Sequence, residues 1–282
     1  MPGHGNHWSA LYGDNFDIQS IIERDVQDSK LIDSFACFDI ANKTEQAEQV
    51  SCLRWGTGAV VEDILVVTDT SKQERFLFSG YPVLRDGNRH QVTIEQVDPW
   101  EYGIEGWIRV RVTTNEIALA FFDARYYAGS AALQPGETVE LSLAGLAYML
   151  EPSPQSSFEI NQGLFWEMEK QRRLDEGASP EDAARPVTIV TAGMAAFLPR
   201  SGDECDEAEF QGVIESIEQF SYNGSPLYRL EIVVLRADDE AFKIPVFASQ
   251  HALKGYIPRL GEDVRGVMWL QGYIAGKFGD EP

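Results

Sequence analysis

A chain of 282 residues, 44% hydrophobic and 11% aromatic, is long and apolar enough to bury one large core or two moderate ones, as a folded globular protein does. Its 23 basic against 45 acidic residues give a formal charge of −22, and residues 1–90, 91–150 and 151–282 are each net acidic. That balance argues against nucleic-acid binding, which relies on phosphate neutralisation, and leaves solubility or attraction to a basic partner as its meaning.

No run of about 18 apolar residues occurs, and the first residues lack the basic, apolar and small-residue regions of a secretion leader. No membrane association is expected, and a cytoplasmic location is. Cys37, Cys52 and Cys205 are odd in number and have no Cys-x-x-Cys spacing, so reduced thiols are expected rather than a disulfide framework or a zinc site.

Residues 1–13 (MPGHGNHWSALYG) have no periodicity, and His4 and His7, without a nearby Cys or carboxylate, do not make a metal site. Asp14, Asn15 and Asp17 can cap a helix whose apolar residues Ile18, Ile21, Ile22 and Val26 fall at helical spacing. A further helical turn carrying Leu31, Ile32 and Phe35 is expected after Asp28 or Ser29.

From Ser51 the pattern is β. Residues 59–67 (AVVEDILVV) and 75–84 (RFLFSGYPVL) read as strands joined by a polar hairpin loop. Trp55-Gly56-Thr57-Gly58 lacks the Lys-Ser/Thr ending of a phosphate loop and reads as a glycine turn opening a strand. Residues 91–97, 106–113 and 116–122 follow as strands, and alternation in GWIRVRV puts Trp107, Arg109 and Arg111 on one face and Ile108, Val110 and Val112 on the other. A short helix or coil at 123–133, a Pro135-Gly136 turn and a strand at 138–150 complete the unit, with Asp123 beside Arg125 as an ion pair or cap.

Between Pro152 and Pro186 the pattern is helical. Ser156 and Glu159 have capping-box spacing ahead of Phe158, Leu164, Phe165 and Met168, and Ser179-Pro180-Glu181-Asp182 opens a second short helix. Residues 187–198, 210–220, 227–235 and 242–249 then read as strands, with Asn223-Gly224 as a hairpin turn, before a short helix and a last strand ending near Ile274.

Residues 117–149 and 242–274 align without a gap at a constant offset of 125, sharing Phe122/Phe247, Gly136/Gly261, Glu137/Glu262, Val139/Val264 and Tyr148/Tyr273. Those identities fall at a strand end, at a turn and along one strand face, and they indicate a duplicated β-rich unit. The expected organisation is mainly β with minor α: a helix and hairpin region at 1–74, small Greek-key barrels at 75–152 and 185–282, and a helical linker at 153–184.

The order strand, strand, strand, helix, strand resembles the OB-fold, a five-stranded barrel with a helix between its third and fourth strands. The resemblance implies a recognition face on the second and third strands, comprising Trp107, Arg109 and Arg111, with Arg125 nearby, in the first copy, and Tyr228 with Arg229 or Glu231 in the second. The flanking loops depart from nucleic-acid binders of that fold in carrying Asp98, Glu101, Glu105, Asp238, Asp239 and Glu240.

Four scattered histidines and the absence of Gly-x-Ser-x-Gly give no catalytic constellation, so a non-enzymatic protein without cofactor or metal is expected. The reading is an interaction protein whose acidic barrels engage a basic protein partner. A single-strand nucleic-acid binder using Arg109, Arg111 and Arg125 is the alternative, and a small-molecule binder or enzyme the second alternative.

Overall fold

The computed structural model describes residues 7–14, 16–39, 44–69, 72, 74–100, 103–154, 157–237 and 240–276, so His4, Asn15, Glu101, Ser156, Asp238 and Asp239 lie outside the described residues, as do the side chains of Cys37 and Glu240. The fold is mainly β. The N-terminal region runs α1 (Ser9–Tyr12), α2 (Ile18–Asp28), β1 (Lys30–Asp39), β2 (Thr44–Trp55), β3 (Val60–Asp69) and β4 (Glu74–Leu84), and its four strands pair antiparallel in chain order. Asp17 caps α2 as expected, accepting from the Gln19 amide at 3.1 Å, and Ile21 and Ile22 are buried.

Two expectations are corrected here. The turn carrying Leu31, Ile32 and Phe35 is part of β1, whose pairing with β2 shifts register at Leu31/Asp33 and Ala36/Phe38; such bulges break the alternation by which a strand is read. Residues 75–84 do not open a barrel. They form the expected hairpin with β3 along their whole length, which places β4 in the N-terminal sheet.

The chain continues through β5 (Asn88–Pro99), β6 (Gly106–Val112), β7 (Ala118–Asp123), α3 (Tyr126–Gly129) and β8 (Thr138–Pro152). An excursion follows, with β9 (Ser157–Ile160), α4 (Leu164–Asp175), α5 (Pro180–Ala183), β10 (Val187–Val190) and β11 (Ala196–Pro199). The expected capping box does not start a helix: residues 157–160 pair with β10, and α4 begins after Gly163. The strand expected over 187–198 is divided between β10 and β11 by a turn at Gly193, whose φ is 72°. The last unit is β12 (Glu207–Tyr222), β13 (Ser225–Ala237), β14 (Glu240–Ser249), α6 (Gln250–Leu253) and β15 (Asp263–Ile274), with Asn223 and Gly224 both at positive φ in the β12–β13 turn.

Strands β5, β6 and β7 pair antiparallel; β7 then meets β15 in parallel, β15 meets β8, and β8 returns to β5. Strands β12, β13 and β14 close a second ring in the same way, β14 meeting β8 in parallel and β15 returning to β12. Each unit was expected to close on its own final strand. Instead β8 and β15 belong to both rings, so the expected 75–152 and 185–282 units share one nine-stranded sheet.

The register is matched on the two sides. Phe122 lies opposite Gln271 and Phe247 opposite Leu146, while Gly145 lies opposite Leu270, all at the 125-residue spacing of the sequence alignment. The first strands carry the same irregularity, at Ile94/Gln96 and at Ile214/Ser216. Ile94 and Ile214 exchange equivalent backbone hydrogen bonds with 136–137 and 261–262, at 2.8–3.1 Å.

Alternate residues fill the rings: Ile94, Ile108, Val110 and Phe121 on one side, Ile214, Leu230, Ile232 and Val246 on the other, in one continuous core. The opposite face of the shared pair carries Ala144, Leu146 and Trp269, which Ala10, Leu11, Val60 and Leu84 of the N-terminal region cover. Close approach demands glycine at two places. A Cβ on Gly212 would lie 2.0 Å from Val233 O, and one on Gly266 would lie 2.3 Å from Met149 O.

Gln271 ties the N-terminal sheet to β15: its Oε1 accepts from Leu84 N at 2.9 Å and its Nε2 donates to Pro82 O at 2.7 Å. Replacing it with leucine strands two buried backbone groups, each worth about 1–3 kcal/mol. A Gln271→Leu variant is therefore expected to lose about 2–4 kcal/mol in urea unfolding; a loss below about 0.5 kcal/mol would show that the tie contributes nothing.

Candidate binding surfaces and buried acid clusters

The alternation read in β6 is observed. Ile108, Val110 and Val112 are fully buried, Trp107 and Arg111 are half-buried, and Arg109 is exposed. Trp107 stands edge-on to Trp100, ring centroids 5.2 Å apart. Arg111 is held by Glu95 at 2.5 Å and donates to Glu116 O at 3.1 Å. Arg125 lies apart from them, 3.4 Å from Asp33 and over the Tyr127 ring, with a side chain 11% exposed. Arg229 is 3.2 Å from Asp86 and 3.7 Å from Glu231, while Tyr228 packs on the core.

Register makes Trp107 and Arg229 equivalent, since they face Phe122 and Phe247 in their rings, and it makes Arg109 the counterpart of Glu231. The two faces are thus chemically different. Of the three arginines proposed for a cationic groove, Arg111 and Arg125 are engaged by carboxylates on different elements.

A cleft of about 490 Å³ opens elsewhere, over strands β8, β15, β12 and β11. Its floor consists of cross-strand rows, Met149–Val267–Glu209–Leu198 and, one step along, Glu151–Arg265–Gln211–Ala196. Met194 overhangs it from the β10–β11 turn, which Asp263 holds by accepting from Gly193 N at 2.9 Å. Arg265 is paired with Glu151 at 2.6 Å, and Gln211 Nε2 is buried without an acceptor. Two methionines, Leu198, Phe210 and Val267 give an apolar surface that can adapt its shape.

Helix α4 has no buried side chain: Leu164 is 79% exposed, Phe165 55% and Met168 63%. These residues are the apolar members of the expected linker helix. The strands flanking α4 and α5, β9 and β10, pair with each other in a two-stranded sheet separate from the nine-stranded one.

Buried acids form a second class of feature. Asp206 accepts from Trp269 Nε1 at 2.7 Å, and burial pushes its carboxyl up to about 7. His7 lies flat on the same indole, 3.6 Å between centroids and 2° between planes, with its Nδ1 hydrogen-bonded to Tyr148 OH. Asp123, also raised to about 7 by burial, accepts from Arg125 N at 2.9 Å and so turns the chain into α3 rather than forming an open ion pair. Glu62 and Glu105 are likewise enclosed.

Patterning missed these groups for identifiable reasons. Asp206 sits in a run of acids that reads as a solvated loop, and His7 in an aperiodic segment; Glu62 and Asp63 at the centre of AVVEDILVV were the available signal. The acids are closed to solvent, Glu62 fully and Asp206 1% exposed. Among the described residues no group of three or more His, Cys, Asp or Glu side chains is placed to hold a metal ion.

With two of its three arginines neutralised, a labelled single-stranded oligonucleotide is expected to show no mobility shift at about 50 mM salt. Binding that weakens steeply with salt and disappears in an Arg109→Glu, Arg111→Glu variant would reinstate the cationic groove.

In comparisons with models of known protein families and with curated proteins, the chain matches none.

Proposed function

We propose that the protein is a non-enzymatic, cytoplasmic interaction module, with two OB-like barrels derived from one duplicated unit. Its contact surface is the cleft together with the exposed excursion, and its partner is a basic protein presenting apolar side chains. The matched register of the two rings supports the duplication. The partner reading rests on one observation above all: seven of the fourteen exposed large apolar side chains among the described residues lie between Phe158 and Leu198. Apolar groups gathered in this way mark a contact surface.

The net charge of −22 selects the occupant. Two copies of this chain repel one another at long range, whereas a basic partner is drawn in and orientated by the same field. No helix among the described residues is long and apolar enough to cross a membrane. A small apolar ligand in the cleft is the second reading, favoured by a volume of about 490 Å³, within the usual range of ligand pockets.

The test is affinity capture from the source cell with the wild-type chain, a Leu164→Asp, Met168→Asp variant and a Leu198→Asp variant, with identification of what is bound. Exposed sites should leave stability within about 0.5 kcal/mol. The expected result is a basic protein retained by the wild type, released by salt and lost in the variants. Capture unchanged by the substitutions, an acidic partner, or a wild-type dimer broken by the same variants would each overturn the proposal.

A further inference from the structure

The N-terminal sheet is held to the rings by two buried carboxyl groups, one at each ring, and neither has a cation of its own. Glu62 on β3 is fully buried. Its Oε1 accepts from Tyr12 OH of α1 at 3.0 Å and from Tyr222 OH at the end of β12 at 2.5 Å, with the Asn223 amide at 3.4 Å. Its Oε2 is buried without a donor, although Glu62 is within hydrogen-bonding reach of Asp25 on α2.

Asp25 is equally buried and takes both bonds of the Arg24 guanidinium, at 2.5 and 2.7 Å. Arg24 also lies over the Trp55 ring. That guanidinium thus bonds Asp25, with Tyr12 also in reach, and makes no ion pair with Glu62 among the described residues. The neighbouring Asp63 makes the contrast, since Arg54 donates to both its oxygens at 2.7 Å.

Glu105, between β5 and β6, is 2% exposed and accepts from Ser79 Oγ and, at 3.2 Å, from Tyr81 OH, both on β4. Tyr81 also feels the negative charge of Asp206. An ionised carboxylate at either place would be buried without a counter-charge, at a cost of several kcal/mol. A carboxyl that keeps its proton escapes that cost, and at Glu62 the proton supplies the missing donor toward Asp25.

We propose that Glu62 and Glu105 are proton-dependent latches, which fasten the four-stranded sheet and α2 to the two rings while protonated and loosen them when ionised. Burial agrees in direction, raising Glu105 to about 7 and Glu62 to about 8, and Asp25 adds to the shift at Glu62. Tyr12 is pushed up to about 12 and Tyr222 well above its ordinary value, so both remain donors throughout.

The sign follows from proton counting. The fastened state binds more protons than the loosened one between the ordinary glutamate range and the raised values. The latch is therefore strongest in acid, weakens as pH rises through 7 and then 8, and changes no further above that.

The test is hydrogen exchange at pH 5.5, 7 and 8.5, corrected for intrinsic rates, on the wild type and a Glu62→Gln, Glu105→Gln variant. Glutamine retains the acceptor oxygen and places an amide donor where the proton was. In the wild type the opening equilibrium of α2, β3 and β4 should rise about tenfold per pH unit for each titrating carboxyl. In the variant that dependence should vanish, while the interiors of both rings respond alike in the two proteins. An equal pH response of the sheet in both proteins would overturn the proposal. Should the variant fail to fold, carboxyl-carbon NMR of glutamate-labelled wild type decides. Two resonances titrating above pH 6 are expected, one of them absent in Glu105→Gln, and none above pH 6 would overturn the proposal.

Discussion

The antiparallel pairing of β8 with β15 is the constraint from which the rest of the molecule follows. Each strand pairs antiparallel with the first strand of its own unit and in parallel with the third strand of the other, so neither ring closes without both. A one-residue slip would turn Leu143, Met268 and Leu270 out of the ring interiors and bring Leu146 and Trp269 in, exchanging two covered faces at once. Register is therefore specified from both sides. Sharing also removes the exposed edges that two separate final strands would have to protect.

The outer face of that pair is apolar, and the N-terminal region packs on it. Trp269 is fully buried beneath His7, Tyr81 and Phe122, and the end of β4 is anchored by the Gln271 amide. Covering so apolar a surface with a sheet that carries Glu62, and with the loop that carries Glu105, encloses carboxyl groups where water cannot follow. The proton dependence argued for the docking is thus a consequence of the shared strands rather than an independent device.

Much of this could be read from residues, and what could not has physical causes. The gapless 125-residue match located equivalent strands because those strands keep the same pairing partners, and Asn223-Gly224 and the GWIRVRV alternation report local geometry that nothing distant overrides. Which strand closes which ring is a different matter. LSLAGLAYML and VMWLQGYI are apolar at successive positions, which says that both faces are covered but not by what. Glu62 is similar: an acid inside a β-branched run signals an enclosed carboxyl, but its partners Tyr12, Asp25 and Tyr222 come from three distant segments. The proposed recognition residues fell between these cases. Their faces were legible, and the carboxylates that engage Arg111, Arg125 and Arg229 were not.

The distribution of charge follows from the same packing. The arginines at buried or half-buried positions are matched closely: Arg54 by Asp63, Arg125 by Asp33, Arg229 by Asp86, and Arg200 by Glu204 and Glu207. With 45 acids against 23 basic residues, the surplus falls on the surface, and no cationic groove can form by concentrating arginines already engaged. The excursion between β8 and β12 shows the same matching, Arg172 with Glu169 and Glu176 and Arg185 with Asp182. Among the described residues it adds only Phe197 to the ring core, and it carries seven of the fourteen exposed large apolar side chains. A segment outside the shared strands can change without disturbing their pairing, and connecting segments of that kind are where binding residues are commonly carried.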